Sequence, residues 1–355
     1  MRIAQIAPFF ESVPPRGYGG TERVVAYLSD ALTAKRHDVT LFASGDSRTD
    51  AELCPGAARA LRLDPQRSDP VAMHLLMLER VFERAEQFVV IHAHLDYLTF
   101  PIARRCEVPV VTTLHGRLDL PWLAPVVREY REQRLVAISE AQRRQLPDAS
   151  WIGTVHHGLP SDLYRYHDGA GGYLAFVGRI SIEKRLDRAI RIATGAGVRL
   201  RIAAKIDPSD EAYFSASIEP LLDHPLVEYV GELDDAQKND FIGNAAALLF
   251  PIDWPEPFGL AMIEALACGT PVIAWPHGSV REVVRHGVSG WIVDDVADAI
   301  RAVDALDQID RRRCRAEFEA RFTAQRMAAN YAEIYAGAIA RVGSGARATG
   351  ERCSA

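Results

Sequence analysis

No apolar run in the sequence approaches the ~20 residues that carry a helix across a bilayer, so a membrane-spanning segment is not expected. Cysteine is sparse: the five residues Cys54, Cys106, Cys268, Cys314 and Cys353 are odd in number, scattered and without a C-x-x-C pair. This argues against a disulfide framework or a zinc site, and a reducing cytoplasm fits it best. Basic charge is not in excess. The first 165 residues are balanced and the net charge of −6 falls on the remainder, so no electrostatic footprint for nucleic acid is present. The pairs Arg104–Arg105 and Arg143–Arg144 read as solvated helix faces, leaving at most a weak peripheral contact with anionic lipid. The opening MRIAQIAPFFE meets Glu11 after a short apolar run, lacks a small-residue cleavage site and reads as a buried strand rather than a signal peptide. Two absences concern chemistry. No G-x-G-x-x-G follows the first strand, which disfavours a nicotinamide dehydrogenase, and no D-x-D triplet occurs.

What is present is an alternation. With 355 residues, 48% of them hydrophobic, the chain is long enough for two ordinary domains. Short β-branched or apolar runs (RIAQIAPF, DVTLFAS, FVVIHAH, VPVVTTLHG, RLVAIS) alternate with helical patterns, the first helix spanning Thr21 to Ala34. After Ile152 comes loop chemistry, and then the pattern restarts with YLAFVG, RLRIAAK, LVEYVG, AALLFP and TPVIAW. Such alternation means βαβ units and parallel sheets, an α/β fold of two Rossmann-like halves. We place the first at 1–165 and the second at 166–322, with a small polar tail at 343–355 expected to be disordered.

Ligands of open parallel sheets bind beyond the carboxyl ends of the strands, so the residues after each strand carry the information. After the first strand, FESVPPRGYGG ends in Gly19 and Gly20 ahead of a helix that Thr21 is placed to cap; glycines there let backbone N–H groups approach a phosphate. A plain turn is the competing reading, since Arg23 stands where a dinucleotide motif has its third glycine. The fourth and fifth runs end in His92, His94 and Asp96 and in His115, which suggests a polar pocket more than a metal centre. In FVGRISIEKR, Arg179 and Lys184 precede a helix beginning near Leu186, a forked and a compact cation that suit a diphosphate. In WPEPFGLAMIEALACGTPVIA, Glu264 lies mid-helix on an apolar face and needs a partner, for which a ribose diol has two donors. Glu256 precedes that helix in a loop that reaches further along the same ligand, and the N–H groups of Phe258, Gly259 and Leu260 face the same space.

Taken together and in order, RGYGG, His115, GRISIEKR and EPFGLAMIE resemble the family 4 retaining glycosyltransferases, over nearly the whole chain. LHGRLDLP and FPIDWPEPFGL are most similar to bacterial members associated with UDP-sugar donors, glucose foremost. The resemblance implies a GT-B fold with two Rossmann-like domains facing a deep interdomain cleft, and a C-terminal helix at 323–342 that crosses back to the first. It also implies that Gly19 and Gly20 approach the donor diphosphate and that Arg179 and Lys184 neutralise it. Glu264 would hold the ribose and Glu256 the sugar hydroxyls. His115 would stand by the reacting carbon, with the Phe258 to Leu260 amides orienting the donor and His94 and Asp96 facing the acceptor. No cofactor or metal is implied, in keeping with the missing D-x-D, and the acceptor stays open. Two positions depart from the family pattern: Arg185 replaces the common glycine after the lysine, and AAKIDP, with Lys205, replaces a GDGP-like segment. The alternatives are a nucleotide-sugar 2-epimerase of the same fold, a GDP-mannose-dependent mannosyltransferase, and a nucleotide-sugar-binding protein without catalysis.

Overall fold

Ten runs of β-branched and apolar residues become strands of parallel sheets, most of them buried on both faces and so with little polar alternation. The computed structural model describes every residue except Tyr18, Arg67, Gly169, Ala170 and 351–355, and the side chains of 342–350 are likewise left undescribed. Contacts divide the chain into two compact units, Met1–Gly158 with Ala324–Ala355 and Leu159–Thr323.

The first unit holds β1 (Arg2–Ile6), β2 (Asp38–Ser44), β3 (Glu52–Ala57), β4 (Val90–Ala93), β5 (Val110–Thr113), β6 (Arg134–Ala137) and β7 (Trp151–Thr154). They form a seven-stranded sheet in the order β3-β2-β1-β4-β5-β6-β7, every pair parallel. The second unit holds β8 (Tyr173–Arg179), β9 (Arg199–Lys205), β10 (Val227–Gly231), β11 (Ala247–Phe250), β12 (Val272–Ala274) and β13 (Gly290–Ile292). Their order is β10-β9-β8-β11-β12-β13, again all parallel. Both orders reverse direction beside their first strand, the doubly wound pattern whose switch point receives ligands.

In the second unit Leu174, Phe176, Leu200, Ile202, Leu249 and Ile273 are buried against Leu186, Ala189, Ile190 and Ala193 of the helix Leu186–Ala196. In the first, Ile6, Phe9, Phe42, Ile91 and Val110 enclose Met77, Leu78 and Val81. The chain leaves the first unit seven residues before the expected boundary at 165. Residues 159–165 belong to the second unit because Leu159 bridges Thr323 and Arg315 donates to the carbonyls of Ser161 and Tyr164, both at 2.8 Å. The last helix, Ala324–Gly350, joins the first unit, packing against the helix Gly20–Ala34. Of the tail expected to be disordered at 343–355, the backbone of 343–350 continues this helix, and 351–355 lie outside the described residues.

Candidate active site

The first strand-end site begins with Gly19, which takes the N-cap position of the helix Gly20–Ala34 without any side chain capping it. Thr21 is therefore inside the helix and is not its cap. The Gly19 carbonyl already accepts the Arg23 N–H at 3.1 Å, which starts the helical ladder a residue earlier than the sequence suggests. A Cβ at Gly19 would lie 2.9 Å from the Pro15 Cβ and 3.2 Å from the Glu11 Cγ, so the tight loop excludes a side chain. Arg23 is structural: its guanidinium donates to the Gly17 carbonyl at 2.9 Å and braces the loop. The same first turn carries Glu22, buried and with its carboxyl raised by desolvation. Nothing in the sequence singles it out, because an acid in a first helical turn is ordinary dipole chemistry.

β4 and β5 end on a cluster of imidazoles. His94 Nδ1 lies 2.8 Å from His115 Nε2, and His94 Nε2 lies 2.9 Å from Gln5 Oε1 on β1. The two histidines expected to share a pocket are thus joined directly. His157 stacks on His115 with ring centroids 5.2 Å apart. Burial holds His92, His94 and His157 well below the ordinary histidine range and pushes His115 down to about 3, so all four rings are neutral at physiological pH. Asp96 turns through a left-handed backbone, φ 48°, and its carboxyl is pushed up to about 6 by desolvation against a hydrogen bond from the His115 backbone. No group of three or more His, Cys, Asp or Glu among the described residues is arranged to hold a metal ion.

In the second unit the cations expected at the end of β8 are present, but each has an acidic neighbour. Arg179 donates to Glu183 at 2.7 Å and lies 3.2 Å from Asp210. Lys184 pairs with Glu256, and its ammonium sits 5.1 Å from the Trp254 ring and 5.6 Å from the Phe250 ring. Trp254 Nε1 donates to the same Glu256 oxygen at 3.0 Å. Glu256 is 8% exposed, so an ion pair and an indole N–H stabilise a carboxylate that would otherwise be poorly solvated.

Glu264, expected to need a partner, has one within the protein. It is 4% exposed in the middle of the helix Leu260–Ala267, and Lys238 from the helix Asp235–Gly243 donates to its Oε1 at 2.9 Å. Lys238 also lies 3.0 Å from Asp235. The partner was invisible in sequence because it sits 26 residues upstream on another helix.

Gly259, φ 81°, occupies the N-cap of the Leu260–Ala267 helix in the left-handed region that glycine favours. The loop before it is clamped by the turn His277–Ser279, which no local pattern in the sequence marks. Ser279 donates through N to the Glu256 carbonyl at 3.0 Å and through Oγ to the Phe258 carbonyl at 2.6 Å. Gly278, φ 57°, lies so close that a Cβ would stand 2.2 Å from the Glu256 oxygen and 2.3 Å from its nitrogen.

Glycines at strand ends, paired cations after β8 and two buried carboxylates after β11 form one ordered set, and comparison with known proteins gives it a family. Residues 18–163 match the description Glycosyltransferase Family 4, and residues 167–325 match Glycosyl transferases group 1. The chain belongs to the family 4 glycosyltransferases. It is 26% identical over 86% of its length to the phosphatidyl-myo-inositol mannosyltransferase of Mycobacterium leprae, 86% of which is covered. Among solved structures it resembles a sucrose-phosphate synthase from Thermosynechococcus elongatus, with TM-score 0.78, 18% identity and coverage of 96% of this chain and 100% of that one. It also resembles Anabaena Alr3699/HepE in complex with UDP, with TM-score 0.72, 17% identity and coverage of 95% and 100%. The fold is GT-B, with two Rossmann-like α/β domains.

As a family 4 glycosyltransferase the chain has one departure that the structure explains. Arg185, where glycine is common, adopts the left-handed conformation a glycine would, φ 53° and ψ 50°. Its guanidinium donates to Asp187 at 2.8 and 2.9 Å and to Asp253 at 2.7 Å, and these charge-assisted bonds offset the strain. The second departure, Lys205 at the end of β9, lies 3.7 Å from Asp207. The basic pair at Arg104–Arg105 is engaged at the protein surface: Arg104 bridges Glu129 and Glu132, and Arg105 bonds the Pro101 carbonyl. No helix among the described residues is long and apolar enough to cross a membrane.

Proposed function

We propose that the protein transfers a hexose from a UDP-sugar, glucose foremost, to an acceptor hydroxyl with retention of anomeric configuration and without a metal or other cofactor. The observation that carries this reading is the Lys184–Glu256–Trp254 constellation between the ends of β8 and β11, followed by the Gly259-capped helix with its buried Glu264. In this reading Glu264 holds the ribose and Glu256 the sugar hydroxyls. Arg179 and Lys184 balance the diphosphate, with the amides of Phe258, Gly259 and Leu260 aimed at the donor. In the first unit Gly19 and Gly20 approach the phosphates, His115 stands by the sugar, and His94 and Asp96 serve the acceptor side. Resemblance to a protein solved with UDP supports the base.

The step breaks the bond between the anomeric carbon and the phosphate oxygen and forms the acceptor bond on the same face. The acceptor proton passes to the departing phosphate oxygen, and Arg179 and Lys184 stabilise the charge that develops there. Their cationic role is the one a divalent ion fills elsewhere. A mannosyltransferase relative favours a second reading, in which the donor is GDP-mannose.

Titration of the purified protein with UDP, GDP, UDP-glucose and GDP-mannose, with and without EDTA, tests both readings. UDP binding unaffected by EDTA supports the first, and selective GDP binding supports the second. NMR of the product anomer, once an acceptor is found, tests retention; an inverted anomer would overturn the front-face step.

A further inference from the structure

The polar chain behind His115 has a direction. His115 Nε2 meets His94 Nδ1 at 2.8 Å, and His94 Nε2 meets Gln5 Oε1 at 2.9 Å. Gln5 Nε2 donates to the Tyr335 hydroxyl at 3.0 Å, and that hydroxyl lies 2.8 Å from His92 Nδ1. His92 Nε2 lies 2.7 Å from Thr113 Oγ1, which lies 2.9 Å from the Tyr331 hydroxyl. Each neutral imidazole has one donor and one acceptor nitrogen, so fixing a single proton fixes them all.

The two possible directions are not equivalent. His115 Nδ1 is buried and has no partner. If the chain ran from Gln5 toward His115, that nitrogen would be an orphaned N–H; running from His115 toward Gln5, it is a lone pair. A buried unsatisfied donor is rarer and more costly than a buried unsatisfied acceptor. The favoured direction gives His115 Nε2–H to His94, His94 Nε2–H to Gln5, Gln5 Nε2–H to Tyr335, and the tyrosine proton to His92.

We propose that His94 and Gln5 are positioning residues that keep His115 protonated at Nε2 and bare at Nδ1, so that Nδ1 accepts a hydrogen bond from a hydroxyl of the transferred sugar, with Tyr335 of the C-terminal helix locking the Gln5 amide. The sugar half of this inference rests on the donor reading above; the tautomer half does not. A neutral, proton-accepting His115 is a hydroxyl receptor and not a general acid. The C-terminal helix thereby enters the chemistry through two buried tyrosines on its inward face, Tyr331 and Tyr335.

Two measurements test it. Two-bond 1H–15N correlation spectra of the histidine-labelled full chain report the tautomers without any ligand, with His115→Ala used for assignment. The expected result is His115 and His94 both protonated at Nε2 in the wild type. Loss of a single His115 tautomer is expected in His94→Phe and in the nearly isosteric Tyr335→Phe, which keeps the packing. A wild-type His115 protonated at Nδ1, or a tautomer unmoved in both variants, overturns the relay. Calorimetric titration with UDP-glucose and UDP then tests the sugar contact. A loss of about tenfold in UDP-glucose affinity in Tyr335→Phe with UDP affinity unchanged supports it, the scale of one hydrogen bond. Equal loss of both ligands, or of neither, overturns it. A wild type that binds neither ligand sinks the donor reading and the sugar half together, while the spectra decide the tautomer half separately.

Discussion

Individual side chains in this site do more than one task, and Arg185 illustrates how the balance is struck. A left-handed backbone costs a non-glycine residue about 1–2 kcal/mol, while ion pairs at such partly exposed positions return about 0–1 kcal/mol each. Arg185→Gly should therefore change stability by less than about 1 kcal/mol, because lost ion pairs and relieved strain nearly cancel. Arg185→Val retains the strain, adds a β-branch and loses the pairs, so it should cost about 2 kcal/mol or more in urea denaturation. Equal effects of the two would show that the backbone at 185 is not the governing constraint. At this scale the positions of the candidate residues were legible in sequence, since Arg179 and Lys184 follow β8 and Glu256 and Glu264 follow β11 as the strand-end reading expects. Their protein partners were not. Lys238 reaches Glu264, and Ser279 reaches Glu256 and Phe258, across sequence separations that no local pattern spans.

Among elements, the strands without a clear sequence signal lie at sheet edges, although the edge strand β10 is legible as LVEYVG. The interior strands, covered on both faces, are apolar runs that announce themselves. The unnoticed ones, β3, β7 and β13, are all edge strands. β3 reads ELCPGA, with a proline and a glycine that an edge tolerates, and β13 is three residues long. An edge needs one bonded neighbour and little burial, so composition barely marks it. The His277–Ser279 turn is another element without a sequence signal, and it carries a sharp expectation. Gly278→Ala must move the backbone of Glu256, since the added carbon would stand 2.2 Å from its carbonyl oxygen. Turnover should fall at least about tenfold, with UDP affinity within about twofold of wild type, because Glu256 and not Glu264 is displaced. Wild-type turnover in Gly278→Ala would mean that Glu256 has no positional role.

For the molecule as a whole, the buried imidazoles make the first unit the acid-sensitive one. His92, His94, His115 and His157 have folded-state values below the ordinary 6.5. Below that pH the unfolded chain binds protons that the folded chain refuses, so stability falls as pH falls. The slope reaches about 1.4 kcal/mol per pH unit for each histidine. Asp96 acts in the opposite sense: raised from 3.8 to about 6, its carboxyl removes stability as pH rises through that interval. Glu22, also raised by burial, acts in the same sense as Asp96, but four bases outweigh two acids, so acidification from about pH 6.5 to 4.5 should weaken the first unit. Hydrogen exchange should quicken in β1, β4 and β5 over that range before it quickens in β8, β11 and β12. Uniform change in both sheets, or none, would contradict the assignment of neutral buried histidines.

In the proposed function the two carboxylates after β11 divide one donor between them. Calorimetric UDP titration of the wild type, Glu264→Ala and Glu256→Ala, with turnover of UDP-glucose measured in parallel, tests it most directly. Glu264→Ala should lose about 2–3 kcal/mol of UDP binding, the scale of a charge-assisted pair of hydrogen bonds. Glu256→Ala should bind UDP as the wild type does while turning over poorly. Unchanged UDP affinity in Glu264→Ala, or full turnover in Glu256→Ala, would contradict it.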